Sequence, residues 1–144
     1  MTDSTLPAWS ASFLPDARQA LTVSGPLAGL TREWAWGGST GRGVRVAVID
    51  SGIEADHPAL GQAVRGGVVV EVDRRTKAQV RLEPEAHPRD FFGHGTACAG
   101  IIHALAPEAE LYSVRVFSRD LSSKGLQFAG GLRWAIENGM RWST

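Results

Sequence analysis

The chain has 144 residues, of which 43% are hydrophobic and 21% charged, and its 15 lysines and arginines balance 15 aspartates and glutamates. Such a length and composition suit one globular domain burying roughly two thirds of its unfolded surface. Zero net charge argues against a nucleic-acid or membrane partner held by electrostatics, and the single cysteine, Cys98, excludes an internal disulfide.

The first fifteen residues, "MTDSTLPAWSASFLP", lack a basic start and an unbroken apolar core, so they do not read as a signal peptide. No apolar run approaches a membrane span, and the expected location is cytoplasmic. Residues 1–25, with Pro7 and Pro15, read as a loose arm with one helical turn at "PDARQAL". The folded domain is expected over residues 26–144. Pro26 suits a helix start and Gly37-Gly38 its end, followed by the glycine-rich loop "GGSTGRG".

"VRVAVID" (Val44 to Asp50) is apolar and β-branched, as in a strand covered on both faces of a parallel sheet. A hairpin is expected at about Gly67 to Glu83. "GHGTACAGIIHALAP" predicts a helix with Ala97, Cys98, Ile101, Ile102 and Leu105 on its apolar face, ended by Pro107. "AELYSVRVF" predicts a strand. "LQFAGGLRWAIENG" predicts a helix with Phe128, Leu132, Ala135 and Ile136 on one face and a stop at Asn138-Gly139. A further strand should follow from Met140. Strands alternating with helices indicate a three-layer α/β fold, a mostly parallel sheet with flanking helices.

Asp50 ends a buried strand, where functional groups gather in parallel α/β sheets, although an aspartate there also caps turns. His94 opens a helix between Gly93 and Gly95, which leave room for another group at the imidazole. Cys98 lies one helical turn on, so a metal pair or a Cys/His couple is geometrically open. Its apolar neighbours favour a small buried hydrophobe instead. His57, His87 and His103 show no zinc-ligand spacing. A dinucleotide fingerprint fails in both glycine-rich segments, because neither joins a strand to a helix at the required glycine spacing.

"VRVAVIDSGIEADHPAL" and "DFFGHGTACAGII" together resemble the aspartate and histidine boxes of subtilisin-like serine proteases, in the order Asp then His. The resemblance runs on through "APEAELYSVRVFS" and "GLRWAIENGM", over about Gly41 to Met140. It implies the first half of a subtilisin-like peptidase domain. Asp50 would then match the triad aspartate and His94 the triad base, for peptide hydrolysis through an acyl-enzyme. Leu121, Ser122 and Ser123 match the segment that pairs with substrate backbone, though a polar loop capping the next helix explains them equally well.

Three departures from the family pattern stand out. The usual G-T-H-V-A-G reads "GTACAG" here. A calcium-ligand aspartate common in the family would fall at Ala59, and the family's calcium-binding insertion after the histidine helix is missing, so neither a metal nor another cofactor is expected. No G-T-S-x-A box carries a nucleophile, and Ser39 precedes the first strand. Loss of the serine alone costs subtilisin about six orders of magnitude in kcat. The chain by itself is therefore expected to be inactive. Its partners would be a polypeptide substrate in a full-length form and copies of itself through an exposed sheet edge. Where the family continues with a Val-Val-Asn-type strand, this chain ends "RWST". With suitable synonymous codons, restoring one G after a CGG arginine codon turns Met-Arg-Trp-Ser-Thr-stop into Met-Arg-Val-Val-Asn-Leu, so a single-base deletion, real or a sequencing error, is the expected origin of that ending. The alternative is a non-catalytic module that binds a peptide or protein with the same half-fold.

Overall fold

The computed structural model describes residues 31–73, 75–76, 78–118, 123 and 125–142. The expected arm at 1–25, and residues 26–30 of the first expected helix, lie outside them. The described residues fall into two units that divide after Gly38. The first holds helix α1 (Arg32–Trp36). The Thr31 hydroxyl accepts from the Trp34 amide at 3.1 Å, and Gly37, at φ 56°, ends the helix where a left-handed residue is needed.

The second unit begins at Ser39 and carries the sheet. Its strands are β1 (Arg45–Asp50), β2 (Val64–Val72), β3 (Val80–Glu85), β4 (Glu110–Arg115) and β5 (Arg141–Trp142), in the spatial order β3-β2-β4-β1-β5. β1 runs parallel to both β4 and β5, and β2 runs parallel to β4. Among the described residues only the β2–β3 hairpin is antiparallel, and it extends a little beyond its expected bounds at both ends. A 3-10 turn (Pro58–Leu60) and helices α2 (His94–Leu105) and α3 (Gly125–Glu137) complete the unit. Among the described residues no helix is long and apolar enough to cross a membrane.

Alternation along the strands feeds two cores. Val46, Val48 and Leu111 join Ile53, Leu60 and Ala99 on the α2 side. Ala47, Val68, Val70 and Val114 join Val116, Ala135 and Met140 on the α3 side. The sheet is thus the middle of three layers, as expected. Gln127, buried at the start of α3, donates from Nε2 to the carbonyls of Val70 (3.1 Å) and Val116 (3.0 Å), tying that helix to two strand ends.

Both expected helix faces need correction. In α2 the buried residues are Gly95, Thr96 and Ala99, with Cys98 and Ile102 partly buried, whereas Ile101 and Leu105 are exposed. In α3 the buried residues are Gln127, Gly131 and Ala135, whereas Phe128, Leu132 and Ile136 are exposed. In α3 the reason is the close approach of helix to sheet. A Cβ at Gly131 would sit 2.9 Å from Val114 Cγ1, so that contact admits only the smallest residues. The large apolar residues therefore lie on the flanks. The expected stop at Gly139 (φ 65°) is present, and the strand after it is β5. β5 pairs with β1 only at Val46↔Arg141 and Ala47↔Trp142, so among the described residues the rest of that edge of β1 has no neighbour.

Candidate active site

Asp50 is the last residue of β1, and His94 is the first residue of α2. A strand end and a helix start 44 positions apart meet because two glycines let the backbones touch. At Gly95 an added Cβ would lie 2.0 Å from the Gly52 carbonyl oxygen, and at Gly52 it would lie 2.1 Å from the Arg89 carbonyl oxygen. Gly52 also holds φ at 112°, which other residues avoid.

The result is a hydrogen bond of 2.8 Å between His94 Nδ1 and Asp50 Oδ2. Asp50 is largely buried at 16% side-chain exposure, while the His94 ring is open at 72%. The other carboxylate oxygen of Asp50 accepts from the Ser51 amide at 2.7 Å. With both oxygens engaged, the carboxylate favours the tautomer with the proton on Nδ1, which leaves Nε2 with a lone pair toward solvent. That ring can take a proton at one nitrogen while a partly buried carboxylate holds the other.

Asp90, which sequence reasoning did not single out, organises the surroundings. Its Oδ1 accepts from the Ser51 hydroxyl (2.9 Å) and the Phe92 amide (3.0 Å). Its Oδ2 accepts from the Thr96 amide (2.9 Å) and the Thr96 hydroxyl (2.6 Å). Burial pushes this carboxyl up, but the Thr96 hydroxyl and the amides of Phe92, Thr96 and Gly93 together outweigh it, and the pKa falls to about 2. The Ser51 hydroxyl accepts in turn from the Gly95 amide (3.3 Å), and the Thr96 hydroxyl from the Glu54 amide (2.9 Å). The available sequence signal was an aspartate shortly before a helix N-terminus, a common place for a capping carboxylate. On the next strand Arg115, facing Asp50 in register, pairs with Glu85 at 3.0 Å and lies 4.9 Å from the Phe91 ring centroid.

Cys98 packs against the α2-side core as expected of a small hydrophobe but is only partly buried, a correction to the expected full burial, and its sulfur lies 3.9 Å from His94 Nδ1. Asp50, His94 and Cys98 offer ligand atoms within 4.8 Å of one another. A metal there would have to displace the Nδ1–Asp50 hydrogen bond. Burial, followed by the charges of Asp50 and Asp90, also pushes the Cys98 thiol up, which opposes the thiolate a metal needs. His57 has another task, since its Nδ1 accepts from the Ala59 amide at 3.2 Å and caps the 3-10 turn. Of the expected substrate-pairing segment, Leu121 and Ser122 lie outside the described residues. Ser123 Oγ is buried and has no partner among the described residues.

Known proteins share this arrangement of sequence. Residues 41–142 match the subtilase family. Subtilisin Savinase of Lederbergia lenta is 42% identical over 112 residues, spanning 72% of this chain and 36% of the relative. The thermostable alkaline protease of Halalkalibacterium halodurans is 40% identical over 72% of this chain and 27% of its own length. The intracellular serine protease of Paenibacillus polymyxa is 36% identical over 71% and 32%. The chain thus spans about a quarter to a third of these relatives. A crystal structure of a lanthipeptide protease superposes with a TM-score of 0.54 over 92% of this chain and 32% of the other, at 24% identity, which speaks for the fold. With a family match over most of its length, this chain belongs to the subtilases.

Proposed function

We propose that this chain carries the aspartate and the histidine of a serine endopeptidase site acting on polypeptides. The hydrogen bond between His94 Nδ1 and Asp50 Oδ2, 2.8 Å long with the opposite ring nitrogen open, carries the reading. In this mechanism His94 takes the proton of a serine hydroxyl through Nε2 as the serine attacks the peptide carbonyl. It then returns that proton to the leaving amine. Asp50 holds the ring in the required tautomer and stabilises the imidazolium formed in between. Leu121, Ser122 and Ser123 would line the extended substrate. Residues 26–144 would form the first part of the peptidase domain.

The sequence contains no G-T-S-x-A box, so the 144 residues alone are proposed not to turn over peptides. The test uses two proteins, the chain itself and a hybrid in which the segments of Subtilisin Savinase that follow the matched region continue after Met140. Both are assayed for casein hydrolysis and for labelling by a fluorophosphonate. The expected result is hydrolysis and labelling by the hybrid, abolished by His94→Ala, and neither by the chain alone. A folded hybrid that is inert would refute the assignment of Asp50 and His94. If it still captured peptides, the binding-module reading would replace the enzymatic one. Labelling of the chain alone would overturn its proposed inactivity.

A further inference from the structure

We propose that Asp90 is a positioning residue for the Asp50–His94 pair, a carboxylate clamp joining the strand end that carries one to the helix start that carries the other. The inference rests on the reading of those two residues as a working pair, and it adds a residue that never touches the reacting atoms.

The two oxygens of Asp90 serve two different elements. Oδ1 holds the hydroxyl of Ser51, the residue directly after Asp50, whose amide donates to the Asp50 carboxylate. Oδ2 holds both the amide and the hydroxyl of Thr96, two residues after His94 in the first turn of α2. Each hydroxyl is then spent across the gap in the opposite direction. Ser51 Oγ receives the Gly95 amide from α2, and Thr96 Oγ1 receives the Glu54 amide from the loop after β1. One carboxylate therefore fixes two hydroxyls, and each hydroxyl bridges the same pair of elements.

The chemistry requires an anion at this position. Ser51 and Thr96 each have one hydroxyl proton, and both protons point at Asp90, so Asp90 must be acceptor-only at both oxygens. The Ser51 and Thr96 hydroxyls and the Phe92 and Thr96 amides donate to it within 3.0 Å, and the Gly93 amide also holds its charged form. A neutral amide of the same shape would present an NH2 group to one set of these donors. It would either repel that set or turn it, and one bridge would open. The contact at stake is short and directional. Asp50 and His94 are held by separate backbones, so a small slide of α2 along the loop would lengthen their 2.8 Å hydrogen bond while leaving the rest of both cores packed.

The readout is the tautomer of His94, taken from the 15N shifts of its imidazole through the carbon-bound ring protons. This works however fast the N–H exchanges, at a pH where the ring is neutral. The chain with Asp90 intact is expected to hold the proton on Nδ1. In Asp90→Asn the fraction with the proton on Nδ1 should fall by roughly half, toward the mixture of an untethered imidazole. Ser51→Ala, which removes one bridge and leaves the carboxylate, should give a smaller fall, and it decides the matter if Asp90→Asn does not fold. Ala135→Gly, in the core on the opposite face of the sheet, lowers global stability and should leave the tautomer unchanged. An unchanged tautomer in both Asp90→Asn and Ser51→Ala overturns the clamp. Absence of the Nδ1 proton preference in the unaltered chain would instead overturn the reading of Asp50 and His94 as a pair, so the two failures are told apart.

Discussion

Gly95→Ala and Gly100→Ala place the same methyl group on one helix five residues apart, and the structure gives them opposite signs. At Gly100 the new Cβ meets nothing within 4 Å. Helix propensity then dominates and should stabilise by about 0.5–1 kcal/mol. At Gly95 the new Cβ would lie 2.0 Å from the Gly52 carbonyl oxygen and 3.2 Å from Asp50 Cβ. A relaxed carbon–oxygen contact is about 3.3 Å, so helix and loop must separate by roughly 1.3 Å. The obstacle is backbone and cannot rotate away. Overpacking of this kind costs about 1–3 kcal/mol, toward the upper end here, against about 1 kcal/mol of propensity gained. The net loss is about 2 kcal/mol, or about 8 °C in Tm for a domain of this size. The same separation would stretch the Asp50–His94 hydrogen bond, and in the active hybrid a misplacement of about 1 Å costs about 100-fold in kcat. The assay is thermal unfolding followed by circular dichroism, with casein hydrolysis by the hybrid. If Gly95→Ala melts as high as Gly100→Ala and the hybrid keeps its rate, the close approach inferred between α2 and the loop after β1 is wrong.

Further expectations concern charge and surface. The Asp90 carboxyl falls from 3.8 to about 2 on folding, so it contributes stability above the unfolded value that is lost as pH drops through the folded one. After allowance for screening at a half-buried site the loss is about 1–2 kcal/mol between pH 5 and 2, absent from Asp90→Asn, and acid titration of Tm measures it. The Cys98 thiol is raised above its ordinary 9.0, so the folded chain keeps that proton to higher pH than the unfolded chain. Stability should therefore fall as pH rises past the unfolded value, and thiol labelling of this single cysteine should run slower than in urea. Asp50→Asn removes one of the raising charges and should shift the labelling midpoint down. Ile101, Leu105, Phe128, Leu132 and Ile136 present apolar surface, and the edge of β1 beyond Ala47 has no neighbour among the described residues. The isolated chain should self-associate in sedimentation experiments, and Leu132→Lys with Ile136→Lys should reduce it. A monomer at all concentrations would contradict that expectation.

Local sequence determined much of this protein. β-branched runs placed β1 and the β2–β3 hairpin, and Gly139 ended α3 through its left-handed backbone. Two boxes that resemble those of subtilisin-like proteases marked Asp50 and His94, whereas the local signal at Asp50 alone also fitted a turn cap. Contacts between distant segments determined the rest. Periodicity showed that α2 and α3 each have an apolar stripe. It could not show that the sheet comes close enough to α3 to bury Gly131 and Ala135 and leave Phe128 and Ile136 outside. Nor could it reveal Asp90, whose partners stand 39 positions before it and 6 after. A carboxylate acquires its role from the donors that surround it, and only the folded chain brings Ser51 and Thr96 to the same pair of oxygens.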